Sequence, residues 1–167
     1  MSSDNEILQN ELDENRIFQA NFNWEYDDNI PVGFQEWFIE NGEHFNSSLK
    51  KMPDSLKPRQ TTASQCFQNS QLLSQDYPDA KYYEGIMFGP VFKACFHHGF
   101  NIHENDLIDL TYIFNTWNYH NEDRRDKLYV YFEVNIPNEF IDKYKEKIKA
   151  NNVHNPLLFD YFNSVNK

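Results

Sequence analysis

Between Lys81 and Asn135 the texture is that of β-structure, short runs rich in aromatic and apolar residues separated by turn residues and a polar loop (Asn118 to Asp126), and this limits most narrowly what the chain can become. Lys81 to Phe88 (KYYEGIMF) is one candidate strand, and Gly89-Pro90 turns the chain. Val91 to His98, continued by Phe100 to His103, is a second, and Glu104-Asn105-Asp106 has the composition of a hairpin turn. Leu107 to Thr111 is a third. Lys127 to Asn135 is a fourth, with Leu128, Val130, Phe132 and Val134 on one face and Tyr129 and Tyr131 on the other. Around this block the spacing is helical. Phe34, Trp37 and Phe38, with Ile39 as a further candidate, form a stripe that Gly42 can stop. Ser64 to Gln75 predicts a helix with Phe67, Leu72 and Leu73 inward and Thr62 or Ser64 as N-cap. Pro137 opens NEFIDKYKEKIKANN, and residues 156–163 form a short terminal helix. Helices, then an antiparallel sheet, then helices again make the fold class α+β.

With 167 residues the chain is expected to form a single domain, 1–167. Within it, residues 1–58 are an acidic helical extension and connection, 59–140 the core, and 137–167 C-terminal helices. The first 29 residues hold eight acids against Arg16 alone, a net −7 of the total −11. Ile7, Leu8, Leu12, Ile17 and Phe18 suggest a short helix there, and Phe22, Trp24 and Tyr26 a strand. Residues 46–64 have the texture of a long connection, which delivers the chain to Cys66. Such a charge argues against direct nucleic-acid binding and against anionic membrane surfaces. It suits a basic protein partner. No apolar run approaches 18 residues, and the polar, acidic start is unlike a signal peptide, so a cytoplasmic setting is expected. The two cysteines, Cys66 and Cys95, make no disulfide framework, although one bridge between them stays open.

The order Cys66, His98, Asp109 is the order of a thiol-nucleophile site. Cys66 falls in the first turn of its helix, where free amides and the helix dipole stabilise a thiolate. His98 is the candidate base. Asp109, on the partner strand of a short hairpin, is placed to accept the second imidazole N–H and fix the tautomer. Gln60 or Gln65 can help the Cys66 amide hold an oxyanion. His97 competes with His98 as base, and strand alternation allows only one of them to reach Cys66. Asn101 and Asn115 compete with Asp109 as orienter. A zinc site from Cys66, Cys95, His97, His98 and His103 lacks ligand spacing. There is no Gly-rich phosphate loop and no Gly-x-Ser-x-Gly elbow, so neither metal nor cofactor is expected.

These residues resemble the papain-like and transglutaminase-like cysteine superfamily, and more narrowly small bacterial and phage transglutaminase-like proteins. The resemblance is carried by Cys66-Phe67-Gln68-Asn69-Ser70, Tyr82-Tyr83-Glu84-Gly85, His98-Gly99-Phe100-Asn101 and Asp109-Leu110-Thr111, with an echo at Tyr131-Phe132-Glu133-Val134. It covers about residues 60–140 and departs from the family pattern at Gly99-Phe100, Leu110 and Glu133. It implies a Cys-headed helix packed on an antiparallel sheet. The expected function is cysteine-dependent acyl transfer on an amide or ester of a protein or peptide-like substrate, through Cys66, His98 and Asp109. The alternative is a non-catalytic acidic protein on the same fold, such as a phage-encoded inhibitor or adaptor that engages a basic host protein in the host cytoplasm. The residues do not specify an oligomeric state.

Overall fold

The computed structural model describes residues 30–48, 53–57, 61–89, 94–113, 128–144 and 155–167. The acidic segment 1–29 and Gln60 lie outside them, as do the helix and strand expected before residue 30 and the rival orienter Asn115. Five antiparallel strands form one sheet: β1 (Glu43–Ser48), β2 (Lys81–Gly89), β3 (Ala94–His103), β4 (Asp106–Ile108) and β5 (Leu128–Ile136), in the order β1-β5-β2-β3-β4. Among the described residues the helices are α1 (Phe34–Asn41), α2 (Cys66–Asp76), α3 (Asn138–Lys143) and α4 (Leu158–Val165). The fold is α+β. Among the described residues no helix is long and apolar enough to cross a membrane.

The central strands are buried on both faces, so their apolar residues run nearly continuously. One face of the sheet gives Tyr82, Ile86, Phe132, Val134 and Ile136 to a cluster closed by Phe34 and Phe38 of α1, Phe140 and Ile141 of α3, and Leu158 and Phe162 of α4. Rings lock the layer: Phe34 stacks on Phe38 at 5.5 Å and meets Phe159 and Phe162 edge-on at 4.8 and 5.6 Å. The other face gathers Tyr83, Met87, Phe100, Tyr129 and Tyr131 around Tyr112.

Three local expectations are corrected. A strand, β1, stands at the start of the segment expected to be a connection; its residues Glu43 to Ser48 pair with Glu133 to Leu128. EHFNSS contains one strong strand former, Phe45, so its conformation is imposed by the edge of β5. β3 and β4 are joined by a two-residue turn whose residues, Glu104 and Asn105, have φ of 51° and 68°. This is the left-handed pair that a tight hairpin turn requires. β4, however, ends at Ile108, and 110–113 is a helical turn rather than the rest of a strand. Finally, α2 begins at Cys66 and not at Ser64. Neither Thr62 nor Ser64 caps it: Gln65 is the N-cap residue, with no side-chain cap bond, and Ser64 is left-handed at φ 60°.

Candidate active site

The helix that carries Cys66 buries a polar face. Its buried residues are Asn69, Ser70, Gln71, Leu73 and Ser74, whereas Phe67 and Leu72, expected inward, are half-buried. The polar groups are used. Ser70 Oγ donates to the Gly99 carbonyl at 2.9 Å, and Asn101 Nδ2 donates to the Ser70 carbonyl at 3.0 Å and to Ser74 Oγ at 2.8 Å. These bonds attach α2 to β3 at Gly99 and Asn101. Gly99 itself permits the close approach: a Cβ there would lie 3.1 Å from the Tyr82 ring and 3.3 Å from Phe67.

Asn69 sets the entry to Cys66. The Thr62 N–H donates to Asn69 Oδ1 at 2.9 Å, and Asn69 Nδ2 donates to the Thr62 carbonyl and to Thr111 Oγ1, both at 2.8 Å. One side chain thus holds the loop before Cys66 and ties it to the residue two beyond Asp109.

Asp109 leaves β4 and caps the helical turn that follows, with Oδ1 accepting the Tyr112 N–H at 3.1 Å. Its Oδ2 accepts His98 Nε2–H at 2.7 Å and the Tyr131 hydroxyl at 3.1 Å. Both His98 and Asp109 are buried, at 3% and 0% exposure. With Nε2 committed to Asp109, Nδ1 is the ring nitrogen left to take a proton, and Cys66 is near enough to influence the imidazole. Burial pushes the imidazole down. The Asp109 charge and hydrogen bond, followed by Cys66, outweigh burial and hold His98 well above its ordinary value. The Tyr131 hydroxyl is pushed well up by burial and then by the Asp109 charge, so it stays a donor.

The structure therefore brings Cys66, His98 and Asp109 together. Gln65 is exposed at the N-cap position, and its carbonyl accepts the Asn69 N–H at 2.9 Å. The first-turn amides of α2 have no intrahelical acceptors and point toward the Cys66 end. His97 lies on the opposite side of β3 from His98. Its ring packs 4.8 Å from Phe67, and its Nε2 is 3.0 Å from Glu84 Oε1. Asn101 is bound to α2 and not to His98. Cys66 and Cys95 are both free thiols, so the bridge left open by the sequence is absent, and burial raises Cys95. Among the described residues no group of three or more His, Cys, Asp or Glu side chains could hold a metal ion.

Three residues stand inside the quoted motifs with roles that the motifs do not reveal. Tyr131 and Asn69 act through Asp109 and the Cys66 loop. Glu84 is fully buried: it accepts the Tyr82 hydroxyl at 2.6 Å and the Leu157 and Leu158 amides at 2.8 and 3.1 Å. It thereby fastens the start of α4 to β2. The available signals were a carboxylate inside an alternating aromatic strand and an Asn three residues into a helix; their partners depend on register. No family model, no curated protein and no solved structure matches the chain.

Proposed function

We propose that this protein is a cysteine-dependent acyl-transfer enzyme with a papain-like or transglutaminase-like core. The observation that carries the reading is the buried 2.7 Å bond from His98 Nε2 to Asp109 Oδ2, which leaves Nδ1 for a second proton, with Cys66 at the start of a helix and near enough to His98 to raise it. Cys66 gives its thiol proton to His98 and attacks a carbonyl carbon of an amide or ester. His98 returns the proton to the departing amine or alcohol, which leaves a thioester on Cys66. Water or an amine then attacks the thioester and gives its own proton to His98, and the thiol is regenerated from that proton. Asp109 holds the ring in the tautomer this sequence needs. The first-turn amides of α2, with Gln65 or Gln60, stabilise the oxyanion. A free nucleophilic thiol suits a reducing, cytoplasmic setting.

Iodoacetamide alkylation across pH, followed by mass spectrometry to separate Cys66 from Cys95, tests this. Cys66 should react at neutral pH far faster than Cys95 and lose that advantage in His98→Ala. A Cys66 indifferent to His98 would sink the proposal and favour the acidic binding protein. In that case charge reversal at Glu11, Asp13 and Glu14 should abolish partner capture while Cys66→Ala leaves it intact.

A further inference from the structure

Across the centre of the sheet, His98 on β3 lies opposite Gly85 on β2, and Gly85 lies opposite Glu133 on β5. Residues directly opposed in antiparallel strands project to one face, so Glu133 shares the face of His98. At strand spacings of about 4.8 Å their backbones are roughly 10 Å apart, with no side chain between them. Only glycine fits at this position: a Cβ on Gly85 would overlap the Phe132 carbonyl oxygen and stand 2.7 Å from Glu133 Cα and 2.9 Å from the Phe38 ring. Glu133 is 0% exposed, and neither carboxyl oxygen has a hydrogen-bond partner among the described residues. Native chains retain few such groups, and those they keep call for a reason.

We propose that Glu133 is a positioning residue of the candidate active site, a buried carboxyl that acts on the Cys66–His98 pair through the gap at Gly85. The inference deepens the acyl-transfer reading and takes its functional meaning from it.

The groups facing Glu133 can be named from every side. His98 lies across β2, Asp109 follows β4, and Cys66 heads α2; Tyr131 precedes Glu133 by two on β5 and the exposed Glu43 is its β1 partner, while Glu84, next to Gly85 on β2, projects to the opposite face. Burial pushes the carboxyl well up; the His98 charge lowers it, while Asp109, Glu84 and Cys66 raise it further. Protonated, Glu133 puts no charge beside a Cys66 thiolate and offers an O–H. Ionised, it favours the imidazolium and opposes the thiolate. Its proton is therefore linked to those of both reacting groups.

The test removes the thiol first, so that it does not depend on catalysis. Histidine-selective NMR titration compares Cys66→Ala with Cys66→Ala/Glu133→Gln. We expect the His98 midpoint to fall by roughly half a pH unit or more when the carboxyl is neutralised. Superimposable His98 curves would overturn the inference. Thermal unfolding of Glu133→Gln and Glu133→Leu supplies the second readout. Both should melt at or above the wild-type temperature, because an unpartnered buried carboxyl is removed. Melting below wild type in both would make Glu133 a structural group and also overturn the inference. If Cys66 alkylation proves indifferent to His98 while the His98 midpoint still follows Glu133, the acyl-transfer reading fails alone.

Discussion

Asp109 accepts three donors with two oxygens: the His98 ring and the Tyr131 hydroxyl on Oδ2, and the Tyr112 amide on Oδ1. A carboxylate can accept them all, whereas a carboxamide cannot. In Asp109→Asn, an Nδ2 at the Oδ2 position faces two donors; an Oδ1 there leaves Tyr112 opposite an NH₂ group. The imidazole then turns its acceptor nitrogen toward the amide and presents N–H to Cys66, the wrong tautomer for a base. Asp109→Asn should therefore fold and yet slow Cys66 alkylation at neutral pH to nearly the His98→Ala rate. With a substrate, turnover should fall on the order of 10²- to 10⁴-fold. A near-wild-type alkylation rate in Asp109→Asn would show that His98 needs no carboxylate. Tyr131, whose ring was expected only to fill a sheet face, supplies one of the three donors.

At the scale of elements, α2 is held by polar bonds where most helices are held by an apolar stripe. Asn69→Ala removes three of those bonds and strands the Thr62 amide and carbonyl, at a cost of about 2 kcal/mol in denaturant unfolding. It should also weaken the dependence of Cys66 alkylation on His98, since the loop before Cys66 loses its clamp; unchanged alkylation would confine Asn69 to a stabilising role. The polar face explains what was legible and what was not. β2, β3 and β5 are rich in aromatic and β-branched residues and bounded by turn or polar residues, and their positions follow from sequence. α1 follows from Phe34, Trp37, Phe38 and Gly42, with the Gly42 amide closing the helix on the Phe38 carbonyl at 2.9 Å. α2 is visible as a helix, but its buried side is not, because Asn69, Ser70 and Ser74 owe their burial to partners on β3, at Thr62, at Ala80 and on the helical turn at Thr111. β1 has almost no strand propensity of its own. Cys66, His98 and Asp109 could be named because nucleophile, base and orienter have narrow chemical requirements. The role of Asp109 as a cap could not, since it depends on where β4 stops.

The whole molecule buries more titratable chemistry than stability alone favours. His98 is held well above its ordinary value, so the folded state binds that proton more tightly than the unfolded chain. The resulting stability is fully present below about pH 6.5, where the unfolded imidazole is also charged, and is lost as pH rises through the folded value. Glu133 has the same sign, because its folded carboxyl is also raised, and its window opens at the ordinary value of 4.5. Melting temperature should therefore decline from mildly acidic to alkaline pH. His98→Ala should flatten the part of the decline above about pH 6.5. Thermal melts of both proteins over that range check the sign, and parallel curves would remove His98 from the linkage. The far end of the chain belongs to the same unit. Glu84 gathers the amides of Leu157 and Leu158, and Gln71 Nε2 on α2 donates to the Asn155 carbonyl at 3.0 Å.

His98 and Asp109 ride on a single hairpin closed by Glu104 and Asn105, eleven residues apart in sequence, while Cys66 arrives on a helix that docks from outside. The two halves have different folding costs. The hairpin closes a short loop and can join base to orienter early. The thiol meets its base only when α2 has settled against Gly99 and Asn101. Under the proposed function, an incompletely folded chain thus carries a quiet cysteine, and nucleophilicity appears with the last layer of tertiary structure. Cys66 reactivity would then serve as a clock for the completion of folding, and nascent chains would be spared the side reactions of a premature nucleophile.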